Sequence, residues 1–176
     1  MSPQTDSPVP PATEAVLSLG SNQGDRLALL ARACGALAAC HGIRLTQRSP
    51  VYETDPVGVT PDLACHLYLN QTVIVETTLP PQAFSAAIHR IEQQLGRTRT
   101  GVRNLPRLID IDIIAYGDLR LDTPALTLPH PRARDRRFVL QPLADLRPDF
   151  IFSGDTQTVS DLLRALPPSP SVKRLP

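Results

Sequence analysis

Residues 108–116, Leu-Ile-Asp-Ile-Asp-Ile-Ile-Ala-Tyr, are the stretch on which the fold turns. Isoleucine at alternate positions reads as a β-strand. Residues two apart on a strand share a face. Asp110 and Asp112 therefore project together, and Ile109, Ile111 and Ile113 point the other way, into a core. The two carboxylates then stand about 6.5–7 Å apart at Cβ. Side by side they repel and lose hydration unless a cation lies between them. Magnesium suits such a pair, because it takes hard oxygen ligands and shares them with water and substrate phosphates. A wet strand face, or an arginine for each aspartate, gives the same pattern, so the pair alone leaves the choice open.

Upstream, Ala15-Val16-Leu17-Ser18-Leu19 reads as a first strand, ending in the turn Gly20-Ser21-Asn22-Gln23-Gly24. A strand-turn-helix with two glycines can bind phosphate, but a tight turn accounts for it as well. Asp25 is placed to cap a helix to about Cys40, with Leu27, Leu30, Cys34 and Leu37 on one face. Residues 43–54 read as a strand broken by Pro50, 55–66 as a loop, and 67–77 as a strand. Pro80 opens a second helix carrying Phe84, Ile88, Ile91 and Leu95. With 108–116 the order is β-α-β-β-α-β. This is an α+β pattern, the ferredoxin-like core with an antiparallel sheet. Further helices are expected near 136–146 and 158–166, after a loop to about Arg134.

The chain has 176 residues, enough for one ordinary domain. Prolines crowd both ends, so 1–12 and 167–176 read as flexible tails around a single folded unit, 13–166. No stretch approaches the roughly 20 apolar residues of a membrane span. The first residues lack the basic and apolar regions of a secretory leader. Cys34, Cys40 and Cys65 form neither a CxxC nor a zinc spacing, which fits a reduced cytoplasm. No amphipathic seam suggests a partner, so a monomer is expected.

Net charge is +1, against a general nucleic-acid binder. The balance is uneven. Residues 97–137 hold nine arginines and five aspartates, a local +4, so the remainder carries −3. Arg97, Arg99, Arg103 and Arg107 precede the Asp-X-Asp strand; Arg132, Arg134, Arg136 and Arg137 follow it beside His130. Cationic segments around a carboxylate pair are the parts that hold a polyphosphate with its metal. His130 is boxed between Pro129 and Pro131, and Tyr68, Asn70 and Phe138 offer rings and an amide to a planar ligand. Core packing accounts for the aromatics equally well. No P-loop and no GxGxxG is present.

Several segments together resemble the 6-hydroxymethyl-7,8-dihydropterin pyrophosphokinase family of folate biosynthesis. They are LSLGSNQGD, SPVYETDPVG, YLNQTVIVET, IEQQLGR, PRLIDIDIIAYGD and LTLPHPRARDRRFVLQPL, spanning about 14–150. The resemblance implies pyrophosphoryl transfer from ATP to the pterin hydroxymethyl group, with release of AMP and two Mg2+ ions. It implies Asp110 and Asp112 as metal ligands and Arg97 and Arg107 as catalytic phosphate contacts. Arg99, Ile113, Thr127, His130 and Arg136 would bind ATP. Thr54, Val57, Tyr68, Asn70 and Phe138 would bind the pterin. Asn104, Leu105 and Leu108 stand where many members carry Trp, Gly and Thr. Two other readings accompany this one: a family member that binds without turnover, and an RNA-binding module of the same topology, which Tyr68 alone on its strand disfavours.

Overall fold

Alternation along TEAVLSLGS organises the molecule. β1 (Thr13–Ser21) sends Ala15, Leu17 and Leu19 to one face of a sheet and Val16 to the other. The computed structural model describes residues 11–56, 67–97, 107–169 and 171–176. In chain order come α1 (Arg26–Ala39), β2 (Ile43–Arg48), β3 (Tyr52–Thr54), β4 (Tyr68–Thr77), α2 (Pro81–Gln94) and β5 (Asp110–Tyr116). They are followed by β6 (Leu121–Asp122), β7 (Thr127–Leu128), α3 (Arg137–Leu146), α4 (Val159–Ala165) and β8 (Val172–Arg174). Among the described residues the result is a mixed α/β structure with an antiparallel sheet and four helices. β1 lies between β4 and β5. β2 and β3 lie end to end along the far side of β4, parted at Ser49-Pro50-Val51. No described helix is long and apolar enough to cross a membrane.

Two cores flank the sheet. α1 and α2 bury Leu30, Ala33, Leu37, Phe84, Ile88 and Ile91 against Leu17, Leu19, Val73, Ile111 and Ile113. On the opposite face, α3 and α4 bury Val139, Leu140, Leu143 and Val159 with Val16, Ile114 and Phe152. The switch between the two cores comes from a bulge in β5. Val16 pairs with Ala115 and Leu17 with Ile113, so Ile114 is an extra residue.

Local signals explain the helix starts. Asp25 accepts a hydrogen bond from the Ala28 N–H at 3.1 Å, capping α1. Pro80 and Pro81 open α2, where a missing N–H costs nothing. Thr158 and Asp161 form a capping box on α4.

Three departures from the sequence reading have physical causes. Leu27 is 53% exposed, because it lies at the margin of the α1 apolar arc, on the first turn. The supposed loop after β5 contains the short β6–β7 ladder. Finally, Val172–Arg174, read as flexible tail, pairs antiparallel with β3. An unfilled edge of β3 offers backbone partners to a segment whose own prolines lie just before it.

Candidate active site

On the α3 face the sheet becomes small and polar towards one end. Asp112 pairs with Ser18 and Asp110 with Gly20, while Gly20 also pairs with Asn70. The short side chains of β1 leave the floor of a cleft of about 540 Å³. Arg97, Arg107, Asp110, Asp112, Arg136, Thr54, Tyr68, Asn70 and Phe138 all line it. Gly20 and Arg132, read from the sequence only as part of a turn and of a cationic segment, line it too, and so do Ser18, Asp55 and Asp135, which sequence reasoning missed.

The carboxylates are held by arginines. Arg97 Nη1 lies 2.5 Å from Asp110 Oδ1, and Arg107 Nη1 lies 2.6 Å from Asp110 Oδ2. Arg136 Nη1 stands 3.6 Å from Asp112 Oδ2. Desolvation and the neighbouring Asp110 push Asp112 up to about 6. Arg97 also pairs with Glu92, a second residue the sequence reading passed over. Glu92 is 1% exposed on α2, and burial pushes its carboxyl up to about 7. A carboxylate four residues from Ile88, inside an apolar helix face, was the available signal.

Backbone contacts place these arginines. The Arg107 N–H donates to Asn22 Oδ1 at 2.8 Å, and the Asn22 N–H donates to the Arg107 carbonyl at 3.3 Å. The Gly20–Gly24 turn thus seats the base of an arginine rather than standing as a plain turn. Arg136 caps α3, with its guanidinium 5.3 Å from the Phe138 ring centroid.

His130 is fixed by the bulge. Its N–H donates to the Ile114 carbonyl at 2.9 Å. Its Nδ1 accepts from the Arg132 N–H at 3.1 Å, which leaves the proton on Nε2. Burial, then Arg136 and Arg132, lower His130 to about 4. With Ile113 and Thr127 it lines a second cleft of about 260 Å³, which shares Asp112 with the first.

At the other end, Asn70 Nδ2 donates to Thr54 Oγ1 at 2.6 Å, both residues being buried. Tyr68 and Phe138 bring rings to the same cleft. Val57 and Arg99 lie outside the described residues, as do Asn104 and Leu105.

The donor set suits magnesium. Among the described residues no group of three acidic, His or Cys side chains forms an all-protein cage. Two carboxylates leave the remaining positions to water and phosphate oxygens, which is how Mg2+ is usually held.

Comparison with known proteins finds relatives of the whole fold. The family model for 7,8-dihydro-6-hydroxymethylpterin-pyrophosphokinase matches residues 16–148. A 2-amino-4-hydroxy-6-hydroxymethyldihydropteridine pyrophosphokinase of Methylorubrum extorquens is 43% identical over 157 residues, covering 89% of this chain and 96% of that protein. The Bacillus subtilis protein of the same name is 40% identical over 132 residues, covering 75% and 77%. Wild-type Plasmodium falciparum HPPK-DHPS with pteroate shares the fold at a TM-score of 0.70 and 16% identity, over 88% of this chain and 42% of that one. The chain therefore belongs to the 7,8-dihydro-6-hydroxymethylpterin-pyrophosphokinase family.

Proposed function

We propose that this chain transfers the terminal pyrophosphoryl group of ATP to the hydroxymethyl oxygen of 6-hydroxymethyl-7,8-dihydropterin. The pterin oxygen attacks the β-phosphorus, the bond from that phosphorus to the α–β bridging oxygen breaks, and AMP leaves with a proton released. The observation that carries the reading is the position of Asp110 and Asp112. Both line a cleft carrying Tyr68, Asn70 and Phe138, and Asp112 also lines the adjoining cleft of Ile113, Thr127 and His130.

In this reading Tyr68 and Phe138 stack on the pterin, and Asn70 and Thr54, with Val57, hold its edge. Stacking with a few fixed polar groups suits a flat heterocycle. Ile113, Thr127 and Arg99 contact the nucleotide. His130, with its proton on Nε2, and Arg136 donate to phosphate oxygens. Arg97 and Arg107 neutralise charge developing on the transferred group. Asp110 and Asp112 hold two Mg2+ ions, which supply charge neutralisation across the phosphates when bound. Acid–base work by the protein is small, and positioning carries the rate.

The strand order, β5–β1–β4 with β2 and β3 beyond, supports a ferredoxin-like βαββαβ core. We read the chain as one catalytic unit that runs past the expected 13–166 to take in β8, monomeric and cytoplasmic. The free thiols of Cys34 and Cys40 suit that setting.

A coupled assay tests the function. AMP should appear only with ATP, magnesium and the hydroxymethyl pterin together. Well-folded protein that releases none under those conditions overturns the reading.

A further inference from the structure

β3 has three residues, and two of the cleft's lining groups, Thr54 and Asp55, sit at its end. A strand this short is marginal when paired on one edge only. Its second edge is taken by β8, which lies beyond the residues the family model matches. Thr54 pairs with Val172 and Tyr52 with Arg174. The Asp55 N–H donates to the Ser171 carbonyl at 3.2 Å, and the Ser171 N–H returns a bond to Asp55 Oδ2 at 3.0 Å. The Leu175 N–H closes the other end on the Val51 carbonyl at 2.9 Å.

These bonds hold the backbone that aims Thr54 Oγ1 at the Asn70 amide, 2.6 Å away, and they orient the Asp55 carboxylate. From this geometry we infer that β8 is a positioning element for the heterocycle end of the cleft, acting through Thr54 and Asp55. The inference rests on the reading that this end takes the pterin. The described residues read as nucleotide contacts, Ile113, Thr127, His130 and Arg136, belong to β5, β7 and the segment before α3, and none of them is part of β3 or β8. The clasp therefore governs pterin affinity and leaves nucleotide affinity alone.

Lys173 provides the test. Its residue is exposed, and it lies midway between the Asp55–Ser171 and Val51–Leu175 bonds. Antiparallel alternation places its N–H in the ladder. Lys173→Pro removes that donor, while Lys173→Ala keeps it. Calorimetric titration of the full chain should show the pterin Kd rising about five-fold or more in Lys173→Pro. The Kd for a non-hydrolysable ATP analogue with magnesium should move less than about two-fold, and Lys173→Ala should match the native chain. An unchanged pterin Kd in Lys173→Pro overturns the inference, as does an equal loss for both ligands. A native chain that binds the pterin yet releases no AMP sinks the functional reading and leaves the Kd ratio to decide the clasp. A native chain that does not bind the pterin overturns both.

Discussion

Glu92, buried on α2, accepts the backbone N–H of Ile111 at 2.8 Å. A helix carboxylate thus grips the strand residue that separates the two aspartates, on β5, the end strand of the sheet among the described residues. Glu92→Ala strips a buried N–H of its acceptor and should cost about 1–3 kcal/mol. Glu92→Gln keeps an acceptor oxygen and should cost clearly less. Urea unfolding of the two variants measures the difference, and equal losses would contradict the role given to this bond.

Asp110 and Asp112 should separate in stability while agreeing in activity. Asp110→Asn and Asp112→Asn should each lower AMP release by about 10²-fold or more, since each removes a carboxylate of the proposed magnesium site worth several kcal/mol. Asp110→Asn also takes a shared partner from Arg97 and Arg107, and its Tm should fall. Asp112→Asn relieves a carboxylate pushed up by burial and by its neighbour Asp110, and its Tm should hold. Thermal melts beside the AMP assay check both halves.

His130 should titrate near 4, well below an ordinary histidine. Its native form binds fewer protons than the unfolded chain between about 4 and 6.5. The associated stability is present above about pH 6.5 and is lost as pH falls towards 4. His130→Gln should remove that slope. NMR of the imidazole should show a flat signal above pH 5.5 in the free protein and an upward shift when a nucleotide phosphate binds beside it.

Gly20 keeps space for the Asn70 amide. A Cβ there would stand 3.0 Å from Asn70 Oδ1. Gly20→Ala should raise the KM for the pterin several-fold with little change in the KM for ATP. Gly35 in α1 is the control, since a Cβ there meets nothing within 4 Å. Gly35→Ala should leave both constants alone and stabilise the helix by about 0.5–1 kcal/mol.

Tyr52 donates its hydroxyl to Asp145 Oδ2 at 2.6 Å, tying β3 to α3. Burial and that carboxylate push the phenol up to about 12. The native state therefore keeps a proton that the unfolded chain gives up near 10. Stability from this group is complete below pH 10 and is lost as pH rises through about 12. Tyr52→Phe should cost about 1 kcal/mol at neutral pH. It should also flatten the alkaline unfolding curve.

Much of the architecture was legible because it rests on local rules. The alternation of 108–116 put three isoleucines into a core opposite two aspartates. Asp25 announced a helix, and Pro80 announced another. What stayed hidden depends on partners distant in sequence. β8 is three residues behind a Pro-rich stretch, and only the open edge of β3 makes it a strand. Glu92 resembles a stray polar residue until Ile111 and Arg97 arrive beside it. Ser18 and Gly20 became floor residues only through the register that sets them against the aspartates. The arginine for each aspartate, one of the readings open at the outset, is present here, and the same four side chains line the cleft.

The extra residue in β5 makes strand length, rather than side-chain identity, the constrained variable there. Ile114 accommodates a change of phase and lends its carbonyl to His130. Any aliphatic residue of similar size would fill its place. Deleting it would turn Tyr116 away from Phe84 and the Leu79 carbonyl and leave the His130 loop without its anchor. An engineer reshaping this protein can vary the letters of that strand more freely than their number.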